Sequence, residues 1–230
     1  RRIESHMTRR GFESFLAYYN FLLTDQKALD QFLDWITINV SEFYRNSERW
    51  QVLEHRVIPE LLRQKKSSSL NMWSAACSTG EEPYSLAMLM RESFPSIRFS
   101  LLATDIDAGV MQKAQTAVYP TVQAGQIPAQ FRSRYVIERT GNFEIAPEIR
   151  SSVSFRQHNL LADQYPRALD LIVCRNVMIY FTDDIKARLY RQFAASLIPG
   201  GILFVGSTEQ IFRPQDYGFR VFESFFYQRM

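Results

Sequence analysis

The sequence has little cysteine. Only Cys77 and Cys174 occur in 230 residues, and neither belongs to a C-x-x-C pair or to a histidine spacing that would hold a metal. That pattern argues against a disulfide-built secreted fold and against a metal site, and reads as reduced thiols in a cytoplasmic protein. No apolar run is long enough for a membrane-spanning helix, so no direct membrane insertion is expected. No signal-peptide pattern opens the chain, which begins Arg1-Arg2-Ile3 and reads as a fragment of a longer product. Histidine is scarce: His6, His55 and His158 are scattered, no catalytic triad is visible, and each reads by default as structural or surface. Charge of one sign is lacking too, since 27 Lys and Arg against 24 Asp and Glu leave +3, too mild to argue for nucleic acid. Two phosphate-binding signatures are absent, the Gly-Lys-Ser/Thr P-loop and the three-glycine dinucleotide fingerprint. What is present is a hydrophobic content of 46%, enough for a packed core, in a length that suits one large domain or a core domain with a small one.

The chain is organised around residues 72–85, Met-Trp-Ser-Ala-Ala-Cys-Ser-Thr-Gly-Glu-Glu-Pro-Tyr-Ser. Residues 70–76 predict a buried strand. The small residues Ala75, Ala76, Ser78 and Gly80 predict a tight turn. Pro83 lies just inside the apolar-periodic run Leu86, Met88, Leu89, as a first-turn proline does in a helix. Strand, small-residue turn and helix open a nucleotide-binding α/β fold, where a ligand approaches the backbone and the helix N-terminus closely. Glu81 and Glu82 would repel a pyrophosphate but suit a cation. S-adenosylmethionine carries an ammonium, a sulfonium, a ribose diol and an adenine, and fits that preference. The plainer alternative is that the two acids only complement the helix dipole.

Elsewhere the pattern divides the chain. Residues 1–23 read helical with a basic start, either a solvated face or a contact for an acidic partner. Thr24-Asp25 caps a second helix carrying Leu29, Phe32, Leu33 and Ile36. Ser47 begins another amphipathic helix, which Pro59 is expected to kink. The Ser-rich connector at 64–69 marks the expected boundary between a helical N-terminal domain, residues 1–66, and an α/β domain, residues 67–230. A second strand over 97–104 ends at Asp105-Ile106-Asp107. Asp105 is placed to accept both ribose hydroxyls, and Asp107 to cap the helix at 108–117. Residues 118–156 break the alternation with turn signals and short β-prone pieces at 135–137, 143–145 and 153–155. They read as an inserted antiparallel subdomain that returns as the third strand. Asn159 and Leu160 follow, either as adenine contacts or as an ordinary Asn turn. Residues 169–174 predict a central strand by their nearly continuous apolar run. A helix through Ile198, a Pro199-Gly200-Gly201 turn, a fifth strand at 202–206 and a terminal strand or hairpin at 219–228 complete the reading.

Five motifs then fall in order: Asn39-Val40-Ser41-Glu42-Phe43-Tyr44-Arg45, the stretch from Trp73 to Ser85, Ala103-Thr104-Asp105-Ile106-Asp107, Cys174-Arg175-Asn176-Val177-Met178-Ile179-Tyr180-Phe181, and Gly206-Ser207-Thr208-Glu209. Together they closely resemble the chemotaxis receptor glutamate methyltransferases, the CheR family, over nearly the whole chain. The resemblance implies a small all-α N-terminal domain, a class I methyltransferase α/β domain with a Rossmann-like sheet, and an antiparallel β subdomain inserted in it. It implies that Asn39, Ser41, Arg45, Glu81, Asp105, Asn159, Leu160, Asn176 and Val177 contact S-adenosylmethionine or its product S-adenosylhomocysteine. The family often carries Thr where Ser41 stands, and the hydroxyl is kept. The implied partner is the cytoplasmic helical domain of methyl-accepting chemotaxis receptors.

The implied reaction is attack of a glutamate oxygen on the sulfonium methyl. A side chain with a pKa near 4.3 is already ionised at neutral pH, so no general base is required. Positioning and exclusion of water carry the catalysis. Arg45 is a candidate for holding the cofactor carboxylate. Tyr180 is a candidate for steering the substrate carboxylate, with a core aromatic as its alternative. Two rival readings are a methyltransferase for another acceptor and a non-catalytic cofactor-binding signalling module. Base amino-methylation typically uses Asn/Asp-Pro-Pro-Tyr/Phe, and Asn176-Val177-Met178-Ile179-Tyr180 lacks those prolines.

Overall fold

A computed structural model of the chain describes residues 2–36, 41–65 and 68–230. The chain divides into two compact units, Arg1–Val40 and Ser41–Met230. In the first unit the expected opening helix is two helices, α1 (Arg2–Arg9) and α2 (Phe15–Thr24), followed by α3 (Gln26–Ile36). Gly11, at φ +80°, lets the chain leave α1 in a left-handed turn. Ser14 then caps α2 by accepting the Ala17 N–H at 3.2 Å, and Asp25 caps α3 through the Ala28 N–H at 3.0 Å. Met7, Tyr18, Leu22 and Ala28 form the unit's small core.

The second unit opens with a helical run: α4 (Ser47–Val52), a π turn at Leu53–Val57, and α5 (Ile58–Lys65). The predicted disturbance at Pro59 takes this form. Proline has no N–H to return to the preceding turn, and the wider i→i+5 turn just upstream absorbs the mismatch. The helix buries Trp50, Leu53, Val57, Ile58 and Leu61 in the same core as Leu70, Met72 and Phe204 of the sheet. The expected boundary at the Ser-rich connector and the division after Val40 therefore fall on opposite sides of this helix.

The sheet follows from β1 (Ser69–Ala75), α6 (Glu81–Ser93), β2 (Arg98–Asp105) and α7 (Ala108–Thr116). The inserted segment contributes β3 (Val118–Pro120), α8 (Ala129–Tyr135), β4 (Val136–Glu138), β5 (Asn142–Ile145) and α9 (Pro147–Arg150). Then come β6 (Val153–Gln157), β7 (Leu169–Cys174), α10 (Asp183–Ser196), β8 (Leu197–Val205), β9 (Phe219–Glu223) and β10 (Phe226–Arg229). The order is β6-β2-β1-β7-β8-β10-β9. Neighbours from β6 to β8 are parallel, and the terminal hairpin β9–β10 adds antiparallel to β8. Every residue of β7 is buried, as expected of a strand covered on both faces. Alternate residues feed the two faces: Met72, Leu171 and Phe204 on one, Trp73, Ile172 and Leu203 on the other.

The insertion is a separate antiparallel sheet of order β3-β5-β4, and β6 returns beside β2 as the sequence implies. Two details differ from expectation. Tyr135 ends α8 rather than opening a strand, because Pro128 starts a helix that the short β-prone run conceals. β8 begins at Leu197, because pairing passes from Leu169–Leu197 to Leu171–Ile202 and the Pro199-Gly200-Gly201 turn bulges out of a longer strand.

Candidate active site

The candidate residues of the second unit gather at one edge of the sheet, where the parallel strands end. From β1 the chain runs outward to β2 and β6, then crosses to β7 and β8 on the other side, so the strand order reverses between β1 and β7. A crevice at such a switch point is the standing ligand site of open α/β sheets.

The turn after β1 is built from left-handed residues: Ala76 at φ 59°, Ser78 at 49° and Gly80 at 94°. Only glycine adopts that region freely, and each non-glycine residue costs about 1–2 kcal/mol. The surroundings hold the turn. Cys77 N–H donates to the Thr104 carbonyl at 2.9 Å, and Ser78 N–H to Asp105 Oδ2 at 2.8 Å. Gly80 is required sterically as well, since a Cβ there would lie 3.0 Å from the Ala114 Cβ and 3.1 Å from the Tyr119 hydroxyl. The Tyr119 hydroxyl, from β3 of the inserted sheet, donates to the Thr79 carbonyl at 2.7 Å.

Glu81 starts α6 and is 2% exposed. The Thr79 hydroxyl lies 2.7 and 2.9 Å from its two oxygens, and the Ser41 hydroxyl also bonds it. Burial pushes the Glu81 pKa up, and those hydroxyls oppose the shift only in part. Asp105 behaves likewise. Burial raises its pKa against the N–H groups of Ser78 and Asp107, which reach its two oxygens at 2.8 and 3.1 Å. Asp107 is the helix cap, accepting from Gly109 and Val110 at 2.7 and 3.2 Å. Glu82 does more than complement a helix dipole: its Oε1 accepts from Ser74 at 2.8 Å and its Oε2 lies 3.7 Å from Arg175 Nη1.

His158 N–H donates to the Asp105 carbonyl at 2.8 Å, which sets Asn159 and the buried Leu160 beside the end of β2. Asn159 does make an Asn turn: its Oδ1 accepts the Leu161 N–H at 2.8 Å. That turn uses the oxygen and not the Nδ2 group. Beyond β7, Asn176 stands at φ 60°. The Glu209 carboxylate, 5% exposed, holds this loop by accepting the N–H groups of Asn176 and Met178, each at 2.7 Å, and of Gly206 at 2.8 Å. Val177 follows, partly buried. Tyr180 is 62% exposed at the end of a 3₁₀ turn, so its alternative as a core aromatic is corrected. Arg45 is partly buried, within electrostatic reach of Glu82 and Arg175. Asn39 lies outside the described residues.

Sequence reasoning did not assign roles to Arg175, Glu209, Thr79 or Tyr119. All but Tyr119 lie inside quoted motifs, and the charge of Arg175 directly after the apolar run 171–174 was the available signal. The donor set suits a polar cation. Buried Glu81 and partly buried Asp105 are carboxylates that, among the described residues, form no ion pair, and the buried Ser78 hydroxyl has no hydrogen-bond partner. Those groups match the ammonium, sulfonium and ribose hydroxyls of S-adenosylmethionine.

Residues 39–225 match the family model described as CheR methyltransferase, SAM binding domain. The chemotaxis protein methyltransferase of Listeria innocua serovar 6a is 44% identical over 227 residues, covering 99% of this chain and 86% of that protein. Its namesake from Listeria monocytogenes serovar 1/2a matches with the same identity and coverage, 44% over 99% and 86%. Among solved structures, a TehB-like SAM-dependent methyltransferase from Corynebacterium glutamicum is 14% identical with a TM-score of 0.43, over 80% of this chain and 94% of that one.

Proposed function

The chain belongs to the CheR methyltransferase family and is a chemotaxis methyltransferase that uses S-adenosylmethionine; from that premise we propose that it is a protein-glutamate O-methyltransferase acting on chemotaxis receptors. The observation that carries the choice of acceptor is the character of the site. Its named polar groups are carboxylates, amides, hydroxyls, main-chain N–H groups and the guanidinium groups of Arg45 and Arg175, none of them a base at neutral pH suited to deprotonate an amine or hydroxyl acceptor. Neither histidine of this unit is offered as a base: His55 bonds Gln51 within its helix, and the His158 ring is buried against Trp73 and Tyr165. An acceptor that is already an anion at neutral pH needs no base.

The bound cofactor supplies an electrophilic methyl on a sulfonium. The chain's own residues bind, orient and shield. In this reading Asp105 accepts the ribose hydroxyls, and Asn159 and Leu160 meet the adenine. Glu81, Ser41 and Arg45 hold the amino-acid portion. Asn176 and Val177 line the methyl side, and Tyr180, exposed at the rim, steers the acceptor. Positioning of this kind is worth several kcal/mol, up to about 7–11 in favourable cases. The partner is the cytoplasmic helical domain of methyl-accepting receptors. A cytoplasmic location agrees with that partner and with two buried free cysteines. No helix among the described residues is long and apolar enough to cross a membrane. The helical N-terminal domain and the α/β domain are read as its two functional parts, with the insertion at 118–156.

Transfer of labelled methyl from S-adenosylmethionine to a purified receptor cytoplasmic domain tests the acceptor. Base-labile label, released as methanol, is the expected result. Base-stable label would assign a nitrogen acceptor instead.

A further inference from the structure

Arg175 is a buried cation that the reaction scheme does not use. It is 7% exposed, at the end of the central strand and directly before Asn176. Its guanidinium faces three ways. Nη2 donates to the Arg45 carbonyl at 2.8 Å and to Asn46 Oδ1 at 2.9 Å. Nη1 lies 3.7 Å from Glu82 Oε2, on the helix that follows the acidic turn. The plane sits over the Phe204 ring, 4.8 Å from its centroid. Three parts of the site therefore converge on one side chain: residues 41–46, which carry Ser41 and Arg45; the start of α6; and the Asn176 loop.

Residues 41–46 need holding. Tyr44 and Asn46 both adopt left-handed conformations, at φ 50° and 59°. A bulky aromatic there persists only when its surroundings over-determine it. Tyr44 is pinned to α6, its N–H donating to Ser85 Oγ at 3.1 Å and its hydroxyl to the Ser85 carbonyl at 3.0 Å. Arg175 supplies the second anchor, on the sheet side. Asn46 precedes α4 but makes no side-chain cap bond to it, so its side chain serves the guanidinium and not the helix.

We propose that Arg175 is a positioning residue: its guanidinium latches residues 41–46 onto the ends of β7 and α6, setting Ser41 and Arg45 where they meet the cofactor. This rests on the site reading above, and the test separates the two. The variants are Asn46→Gly, Asn46→Asp, Arg175→Lys and the double variant Asn46→Gly/Arg175→Lys. Glycine keeps the left-handed backbone and removes only the acceptor, whereas aspartate keeps the acceptor. Lysine keeps the buried charge but loses the fork. S-adenosylhomocysteine binding is measured by calorimetry, beside thermal melting and kcat and KM for each variant.

Asn46→Gly is expected to melt close to the parent and to bind about tenfold more weakly, with KM for the cofactor rising more than kcat falls, the size of one lost charge-assisted hydrogen bond. Asn46→Asp binds as the parent does. Arg175→Lys loses about tenfold or more in affinity. The double variant is no weaker than Arg175→Lys, because both changes break the same contact. Fully additive losses, or folded variants with lowered melting temperatures and undiminished affinity, would overturn the latch and leave Arg175 a structural cation. A folded parent that binds no S-adenosylhomocysteine would instead remove the site reading itself.

Discussion

The two ends of the parallel sheet bury carboxylates in opposite ways. At the start of β7, Asp170 is 1% exposed, and its Oδ2 takes both the Lys65 ammonium and the Asn71 N–H at 2.6 Å. The chain supplies its own cation, and the result is a staple between α5, β1 and β7. At the far end, Glu81 and Asp105 meet, among the described residues, hydroxyls and N–H groups and no cation, and burial drives both pKa values up. Glu82 has Arg175, and Glu209 has three main-chain donors. The difference separates an acid that completes the fold from acids held ready for something outside it. Buried charge left without a partner costs several kcal/mol, and a ligand that supplies the missing groups recovers it.

The contrast is sharpest in two substitutions. Asp105→Asn is expected to weaken S-adenosylhomocysteine binding by about 100-fold, near the 3 kcal/mol of two hydrogen bonds to a charged acceptor, with melting almost unmoved. Asp170→Asn should do the reverse. Lys65 retains some solvent access, so the loss is nearer about 2 kcal/mol than the full penalty of a broken buried pair, which lowers Tm by about 4–8 °C in a chain of this size. Its ligand affinity should stay at the parent value in the same calorimeter.

A smaller effect lies in pH. Raised folded-state pKa values mean that Glu81 and Asp105 stabilise the free protein fully below their ordinary values, near 4.5 and 3.8, and that this is lost as pH rises through the folded values. A cationic ligand favours the ionised forms, so binding expels protons and tightens with rising pH across that window. The slope approaches about tenfold per pH unit for each full proton released. Calorimetry in buffers of different ionisation enthalpy reads it directly, and Glu81→Gln should flatten it. The least change is expected from Tyr119→Phe, which deletes the hydroxyl that holds the Thr79 carbonyl. About threefold weaker binding and about 1 kcal/mol of stability fit one neutral hydrogen bond.

What was legible in the sequence was local. The strand, small-residue turn and helix at 72–85 could be read because the same few residues set the turn, the cap and the acid. Asp105 and Asp107 could be told apart because a cap must directly precede its helix, and Asp107 does so. The insertion announced itself through turn residues. What was not legible depended on residues far apart in the chain meeting in space. Arg175 and Glu82 are joined only by the crossover between β1 and β7, and Tyr119 reaches Thr79 from the inserted sheet. The burial of α4 and α5 against the sheet also escaped, because an amphipathic period names a buried face without naming what covers it. Tyr180 shows the converse, an aromatic whose exposure depends on the loop that Glu209 ties down.

The most direct test is a calorimetric titration of S-adenosylhomocysteine into the parent, Asp105→Asn and Asp170→Asn proteins under one set of conditions. One micromolar site per chain in the parent and in Asp170→Asn, with about 100-fold weaker binding in a folded Asp105→Asn, is the predicted result. Equal affinities in all three folded proteins would contradict the assignment of the strand-end acids to the cofactor.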